Sequence, residues 1–175
     1  HADKRITIGK ALKGGLGAGG CPIMGKRAAE YGMPTIESVI ESADIVFLVA
    51  ALGGGTSSAS LPLIAEYAQG NGSLVISFIT LPSDSERFPS ITATKSLANI
   101  LKHSDFVAGA MNYRELASMD SSCPPVEIYK KMDLSIVDTL REILGRFSGS
   151  SPTYDFLDEL PTLCAANRMV VYRSE

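Results

Sequence analysis

Histidine is nearly missing from this chain: among 175 residues only His1 and His103 are histidines. His1 sits at the terminus, and His103 closes a helical pattern, where a side chain able to carry positive charge suits the last carbonyls. Catalysis built on a histidine general base is therefore not expected. Cysteine is scarce as well. Cys21, Cys123 and Cys164 are odd in number and far apart, which predicts free thiols and neither a disulfide framework nor a zinc site. No apolar run approaches the length of a membrane-spanning helix. His1-Ala2-Asp3-Lys4-Arg5 carries no signal-peptide core, so a cytoplasmic setting is expected. A basic excess is also lacking. A formal charge of -3, with 45% apolar and 20% charged residues, describes an ordinary globular protein without a bias toward nucleic acid or anionic lipid. The length suits one domain with a substantial core.

Glycine, by contrast, is concentrated in two places. The apolar run Ile45 to Leu52 reads as a buried strand and is followed by Gly53-Gly54-Gly55-Thr56-Ser57-Ser58-Ala59-Ser60, then by a helical pattern from Leu61 to Gln69. Strand, glycine loop and helix is the order of a phosphate cradle, because free loop amides and a helix N-terminus together form a concave site of partial positive charge. Pro62 is expected in the first turn of that helix, where no intrahelical partner for the amide is needed. The loop lacks the lysine of a P-loop and the spacing of a dinucleotide fingerprint, so by itself it is equally satisfied by a tight connection that lets a helix pack on a strand. A second loop, Gly14-Gly15-Leu16-Gly17-Ala18-Gly19-Gly20, precedes Pro22 and a helical pattern from Ile23 to about Tyr31. Two such loops in one domain are harder to explain by packing than either alone.

The remaining elements alternate. A helix is predicted over Pro34 to Ser42, a buried strand over Ser73 to Thr80, a helix over Ala93 to His103, a weak strand over Asp105 to Met111 and a last strand over Arg168 to Arg173. Val126 to Phe147 is the longest helical pattern, at roughly 33 Å the width of a domain. This alternation predicts an α/β fold: a Rossmann-like, mostly parallel sheet with helices on both faces and a long core helix at 126–147. Ligands in such sheets sit beyond the carboxyl ends of the strands, where both glycine loops fall. The polar loop Leu81 to Pro89, with Asp84, Glu86 and Arg87, emerges on that edge. It reads as a contact to a ribose or base, or as a solvated loop. Tyr129 and Asp133, four apart, share a helix face and suit a purine, although a tyrosine at helical spacing is more often simple packing. Asp155 and Asp158 read as first-turn acids favoured by a helix dipole or as functional carboxylates.

Taken together, these pieces resemble FtsZ, the cell-division GTPase, and its tubulin relatives. Gly14 to Pro22 is similar to the family's GLGAG-x-x-P loop, and Gly53-Gly54-Gly55-Thr56-Ser57-Ser58-Ala59 stands where the family has GGGTGTG. The order and spacing of the two loops agree too, and the similarity covers nearly the whole chain. The resemblance implies that Gly53, Gly54, Gly55, Thr56, Ser57 and Ser58 cradle the phosphates of GTP or GDP, with Gly17, Ala18 and Gly19 near the terminal one. Glu86 falls at a ribose-contacting position, and Asn112 at the Asn of a P-N-D-R segment. Tyr129 stands where a ring stacks on guanine and Asp133 where the base edge is read. Asp155 and Asp158 match the acids of an N-x-D-x-x-D loop that enters the next subunit's site and helps to activate water, with Mg²⁺ present and no residue assigned to it. Hydrolysis is thereby coupled to a head-to-tail filament of the protein with itself. The alternative is a non-catalytic relative that uses the fold as a filament or interaction module.

Departures from the family pattern bear on that choice. Ser57 and Ala59 replace glycines, and a Cβ there is expected to crowd the phosphates or restrict the backbone. Cys21 replaces an Asn or Asp, Thr153 replaces an Asn, and Ser90 stands where an Arg is expected, with Arg87 nearby. The family's first strand and GGGxNA turn, and its second domain, have no counterpart here, so the resemblance implies a chain incomplete at both ends. Residues 1–147 are then the GTP-binding domain, and 148–175 a catalytic-loop segment, a helix and the first strand of an otherwise absent second domain. On this reading the Arg168 to Arg173 strand lacks its own sheet and is expected to pair with another chain or to be poorly ordered.

Overall fold

A computed structural model describes residues 3–13, 16–82, 87–110, 122–146, 155–167 and 169–172. In chain order the elements are α1 (Lys10–Lys13), α2 (Pro22–Ile40), β1 (Ile45–Ala51), α3 (Ser57–Gly70), β2 (Leu74–Thr80), α4 (Arg87–Ile100), β3 (Phe106–Ala110), α5 (Pro125–Arg146), α6 (Asp155–Ala166) and β4 (Met169–Tyr172). One sheet runs in the order β1-β2-β3-β4. Its first three strands are parallel and β4 is antiparallel to β3.

The period-two alternation of β2 divides the core. Ile76 and Phe78 face one apolar cluster with α5 and α6, while Val75 and Ile79 face another with α3 and α4. A strand buried on both faces reads as a continuous apolar run, which is why the sequence pattern located it. Its interior polar member, Ser77, is fully buried and shares a hydrogen bond of 2.8 Å with Ser104. On α5 the buried stripe is Ile128, Met132, Ile136 and Ile143, and on α6 it is Phe156, Leu160, Leu163 and Cys164, both at helical spacing. The expected fold class is therefore the observed one, a mostly parallel sheet covered on both faces.

Several local expectations are corrected. The patterns over 23–31 and 34–42 form one helix, α2, with Pro34 inside it. Pro34 withdraws the amide that Glu30's carbonyl would receive, yet the helix stays continuous where its small residues Ala29 and Gly32 are buried. A Cβ on Gly32 would lie 2.3 Å from Ile8 Cγ2, so the residue is held against the chain's opening segment. Helix α3 begins at Ser57, four residues before its apolar pattern does, which moves Pro62 from the first turn into the helix interior. Likewise α4 begins at Arg87, ahead of the expected Ala93.

The largest correction concerns the last strand. It was expected to seek another chain, but Met169–Tyr172 pairs with β3 of the same sheet, Val107 opposite Tyr172 and Ala110 opposite Met169. The physical reason lies in the free side of β3 and in a short return from α6, whose end is closed by Asn167 donating from its backbone and its side chain to Leu163 O. Met169 is buried beneath α5, 3.2 Å from the Thr139 hydroxyl.

Cys164 reports on this packing. Burial pushes its thiol up to about 11 from 9.0. A raised value keeps the proton on the folded chain, so stability is unaffected below the unfolded value and falls as pH rises from 9.0 toward 11. Near about pH 8, a chromogenic disulfide reagent should titrate Cys21 and Cys123 in the native chain and reach Cys164 only in denaturant. Rapid native reaction of all three thiols would show that α6 is not docked as described.

Candidate functional site

The carboxyl ends of β1 and β2 build the site. Leu52 continues the ladder one residue beyond β1, donating to Thr80 O at 2.9 Å. Gly53 then turns the chain with φ +104°, a conformation that L side chains rarely adopt, and a Cβ there would also meet Pro89 at 3.0 Å. Two serines fasten the first turn of α3 to this corner. Gly53 N–H donates to the buried Ser58 Oγ at 2.8 Å, and the Ser57 hydroxyl donates to Ala51 O. The Gly53 amide is thus engaged internally. The amides of Gly54, Gly55, Thr56 and Ser57 have no partner among the described residues. They form the open donor set of a helix N-terminus, suited to an anion.

The second loop arrives at the same place. Gly17, Gly19 and Gly20 have φ of +79°, +58° and +75°, Ala18 is buried at its centre, and Cys21 N–H donates back to Ala18 O at 3.0 Å. Helix α2 then starts at Pro22 and lies directly on the first loop. A Cβ on Gly25 would fall 1.8 Å from Gly55 O, and one on Gly55 would fall 2.7 Å from Cys21 N. No side chain fits between the two backbones.

A cavity of about 510 Å³ opens on this edge, lined among others by Gly20, Gly53, Gly54, Thr80, Tyr129 and Asp133. The two α5 residues, one turn apart, thus face both glycine loops across a single space; Tyr129 is half exposed. A smaller cavity of about 310 Å³ joins Gly17, Ala18 and Thr56 to Ile6, Thr7 and Ile8. Sequence reasoning placed the segment that holds Pro82 and Pro89 on this edge but missed the wall that Ile6–Ile8 supplies, which no motif marks. Glu86 and Asn112 lie outside the described residues. Asp155 opens α6, and its side chain also lies outside them.

Asp158 is elsewhere. It is exposed and lines a cavity of about 480 Å³ with Ser104, Asp105 and Phe106, where β3 begins. Because β1, β2 and β3 run parallel, that is the sheet edge opposite to the glycine loops. Within one chain Asp158 and the loops do not meet. Among the described residues no three His, Cys, Asp or Glu side chains converge as a metal site, and no helix is long and apolar enough to cross a membrane.

Comparison with known proteins agrees with this fold. The family model for the Tubulin/FtsZ family, GTPase domain, matches residues 1–118. The chain belongs to the Tubulin/FtsZ family. It is similar to cell division protein FtsZ 2 of Haloferax volcanii, 36% identical over 143 residues, which is 82% of this chain and 36% of that protein. FtsZ 2 of Methanocaldococcus jannaschii is 35% identical over 143 residues, 82% of this chain and 37% of the relative. Among solved structures, an empty FtsZ dimer from M. jannaschii superposes with a TM-score of 0.79 at 30% identity, covering 93% of this chain and 48% of that one. The chain spans little more than a third of the length of the curated FtsZ relatives it matches.

Membership in the Tubulin/FtsZ family makes the departures in the loop worth locating. Ser57 and Ala59 sit at helical positions of α3, so neither needs the glycine backbone freedom that was expected to matter. The Ala59 methyl faces α2, 3.2 Å from where a Cβ on Gly25 would stand, and the Ser57 hydroxyl is turned back onto Ala51. Cys21 occupies the N-cap of α2 with extended backbone and makes no side-chain capping bond, unlike the Asn or Asp that the position favours.

Gly25→Ala tests the contact between the loops. Alanine is the better helix former by about 1 kcal/mol, but overpacking against rigid backbone costs roughly 1–3 kcal/mol or more. The variant should therefore be less stable in urea unfolding, and a gain in stability would contradict the contact.

Proposed function

We propose that this chain is the guanine-nucleotide-binding part of an FtsZ-like protein that assembles head to tail into filaments in cell division or the cytoskeleton and hydrolyses GTP where two protomers meet. The observation that carries the reading is the meeting of both glycine loops with Tyr129 and Asp133 around one cavity, while Asp158 stands at the opposite edge of the sheet. Two helix N-termini, of α2 and α3, are pressed together there, and their partial positive charges repel unless an anion lies between them.

In this reading the open amides of Gly54 to Ser57 receive phosphate oxygens, with Gly17, Ala18 and Gly19 near the terminal phosphate. The Gly53 turn and the Ser58 hydroxyl hold the loop in shape. Tyr129 stacks on the guanine ring and the Asp133 carboxylate accepts its N–H donors. Glu86 and Asn112 complete the contacts to ribose and base. Asp155 and Asp158 reach the loops of the next protomer, where carboxylates orient water toward the terminal phosphate. That a similar solved structure is an FtsZ dimer supports the self-association. Mg²⁺ bound to the phosphates would neutralise their charge, and it needs few protein ligands where phosphate and water supply its oxygens. One observation favours the non-catalytic alternative: an amide of the signature loop, that of Gly53, is already used by Ser58.

Calorimetric titration with GTP, GDP and ATP, then sedimentation with GTP, separates the two readings. Guanine nucleotides should bind in preference to ATP, and Tyr129→Ala should weaken GTP binding by about 1–3 kcal/mol, the usual worth of one stacked base. Asp158→Ala should abolish turnover and leave binding intact. Equal loss of both would contradict the role given to Asp158, binding without turnover would select the alternative, and no guanine-nucleotide binding would overturn the proposal.

A further inference from the structure

A trough of about 690 Å³ runs over α3, with α2 and α4 as its walls. Its lining recurs every four residues along each helix, as with Ile23 and Arg27 on α2 or Ile91, Lys95 and Asn99 on α4. Two helical turns on each wall give it a length of about 12 Å. Pockets for small organic ligands are of this size, mostly apolar with a few placed polar groups.

Its chemistry is uneven in a specific way. Ile23 and Ile91 are 72% and 53% exposed, large apolar side chains left on a helix surface. Lys26 is held by Glu30 at 3.9 Å, but Arg27 and Lys95 have no salt bridge among the described residues, and Glu66 is the remaining acid. Positive charge is thus in excess here on a chain whose formal charge is -3. Ser96 also lines the trough. It is 4% exposed, and its hydroxyl oxygen, shut off from solvent, has no hydrogen-bond partner among the described residues. Buried hydroxyls almost always find one, commonly a carbonyl one turn back in their own helix, so an unmet one beside a cavity calls for an explanation.

We propose that the trough binds a small amphipathic organic anion. Arg27 and Lys95 hold its charged head, Ile23, Leu63 and Ile91 take its apolar body, and the Ser96 hydroxyl, sealed in the free chain, turns outward to meet a polar atom at depth. A helix of a partner protein, about 10–12 Å across, would ride on the rim and leave Ser96 unmet. The site is independent of the nucleotide reading, although it lies directly behind the loop: Ser58, which holds the Gly53 amide, lines its floor.

Anilinonaphthalene sulfonate, an aromatic anion that fluoresces when bound, is a suitable probe on the intact chain. It should saturate one site per chain, and Arg27→Glu with Lys95→Glu should weaken it about tenfold or more, the scale of losing charge-assisted contacts, with circular dichroism and melting unchanged. Ser96→Ala should weaken it about threefold, as loss of one hydrogen bond does. Should the double variant fail to fold, Arg27→Gln and Lys95→Gln singly should each cost about threefold. Equal affinity in parent and charge-altered chains overturns the proposal, as does complete displacement of the dye by GTP. Absence of saturable binding also overturns it and would leave the trough to a protein helix.

Discussion

Gly25 and Gly55, two residues with no side chain, set the spacing on which the rest of the structure depends. The backbone of the loop after β1 rests against the backbone of the first turns of α2, and any Cβ at either glycine would overlap main-chain atoms. Close approach of this kind brings two helix N-termini and two sets of loop amides to one corner of the sheet. The left-handed turns at Gly17, Gly19, Gly20 and Gly53 serve that convergence, since each bends the chain where an ordinary residue would be strained. Serines then fix what the glycines permit. Ser57 and Ser58 tie the first turn of α3 to the end of β1, so the corner is held by hydrogen bonds from the same segment that forms it.

Strand direction distributes the remaining candidate groups. With β1, β2 and β3 parallel, every loop leaving a strand emerges on one edge and every loop entering one lies on the other. The loops, Tyr129 and Asp133 belong to the first edge and Asp158 to the second. A single chain cannot close that gap without breaking its sheet. If Asp158 acts on a ligand at the loops, the ligand is another protomer's, and repeating the contact gives a polar array with no closed end.

Much of this was legible because it depends on local pattern. Buried parallel strands are continuous apolar runs, so β1 and β2 were located to within a residue or two, and the long stripe of α5 gave its full extent. The glycine loops were visible as composition. What escaped were features decided by tertiary contact. Pro34 signals a break, yet α2 runs through it because its small residues are buried against neighbouring segments. Ser57 and Ser58 read as loop residues, yet they are helical, with hydroxyls that find partners on β1 and its loop. The last strand reads as an orphan, since nothing in a four-residue apolar segment says which edge will accept it. The free side of β3 decided that. The trough over α3 left no sequence signal, because its residues come from three separate helices.

The charge balance of the loop cavity carries one consequence further. Its described lining holds no lysine or arginine and includes one carboxylate, Asp133. A P-loop site sets a lysine against the phosphates, whereas this corner offers only backbone amides and two helix ends, each equivalent to roughly half a charge. In the proposed reading a nucleoside triphosphate would bring several negative charges into a space already containing Asp133. Amides alone leave much of that charge uncompensated. In that reading the deficit would fall on Mg²⁺ and on whatever a neighbouring protomer contributes, and an incoming Asp158 would add negative charge to the same region. Acids brought to phosphates are favourable only where a cation stands between them or where they act on neutral water. Nucleotide affinity should then depend more steeply on divalent cation in the assembled state than in the isolated chain, because each added protomer increases the negative charge that the cation must offset.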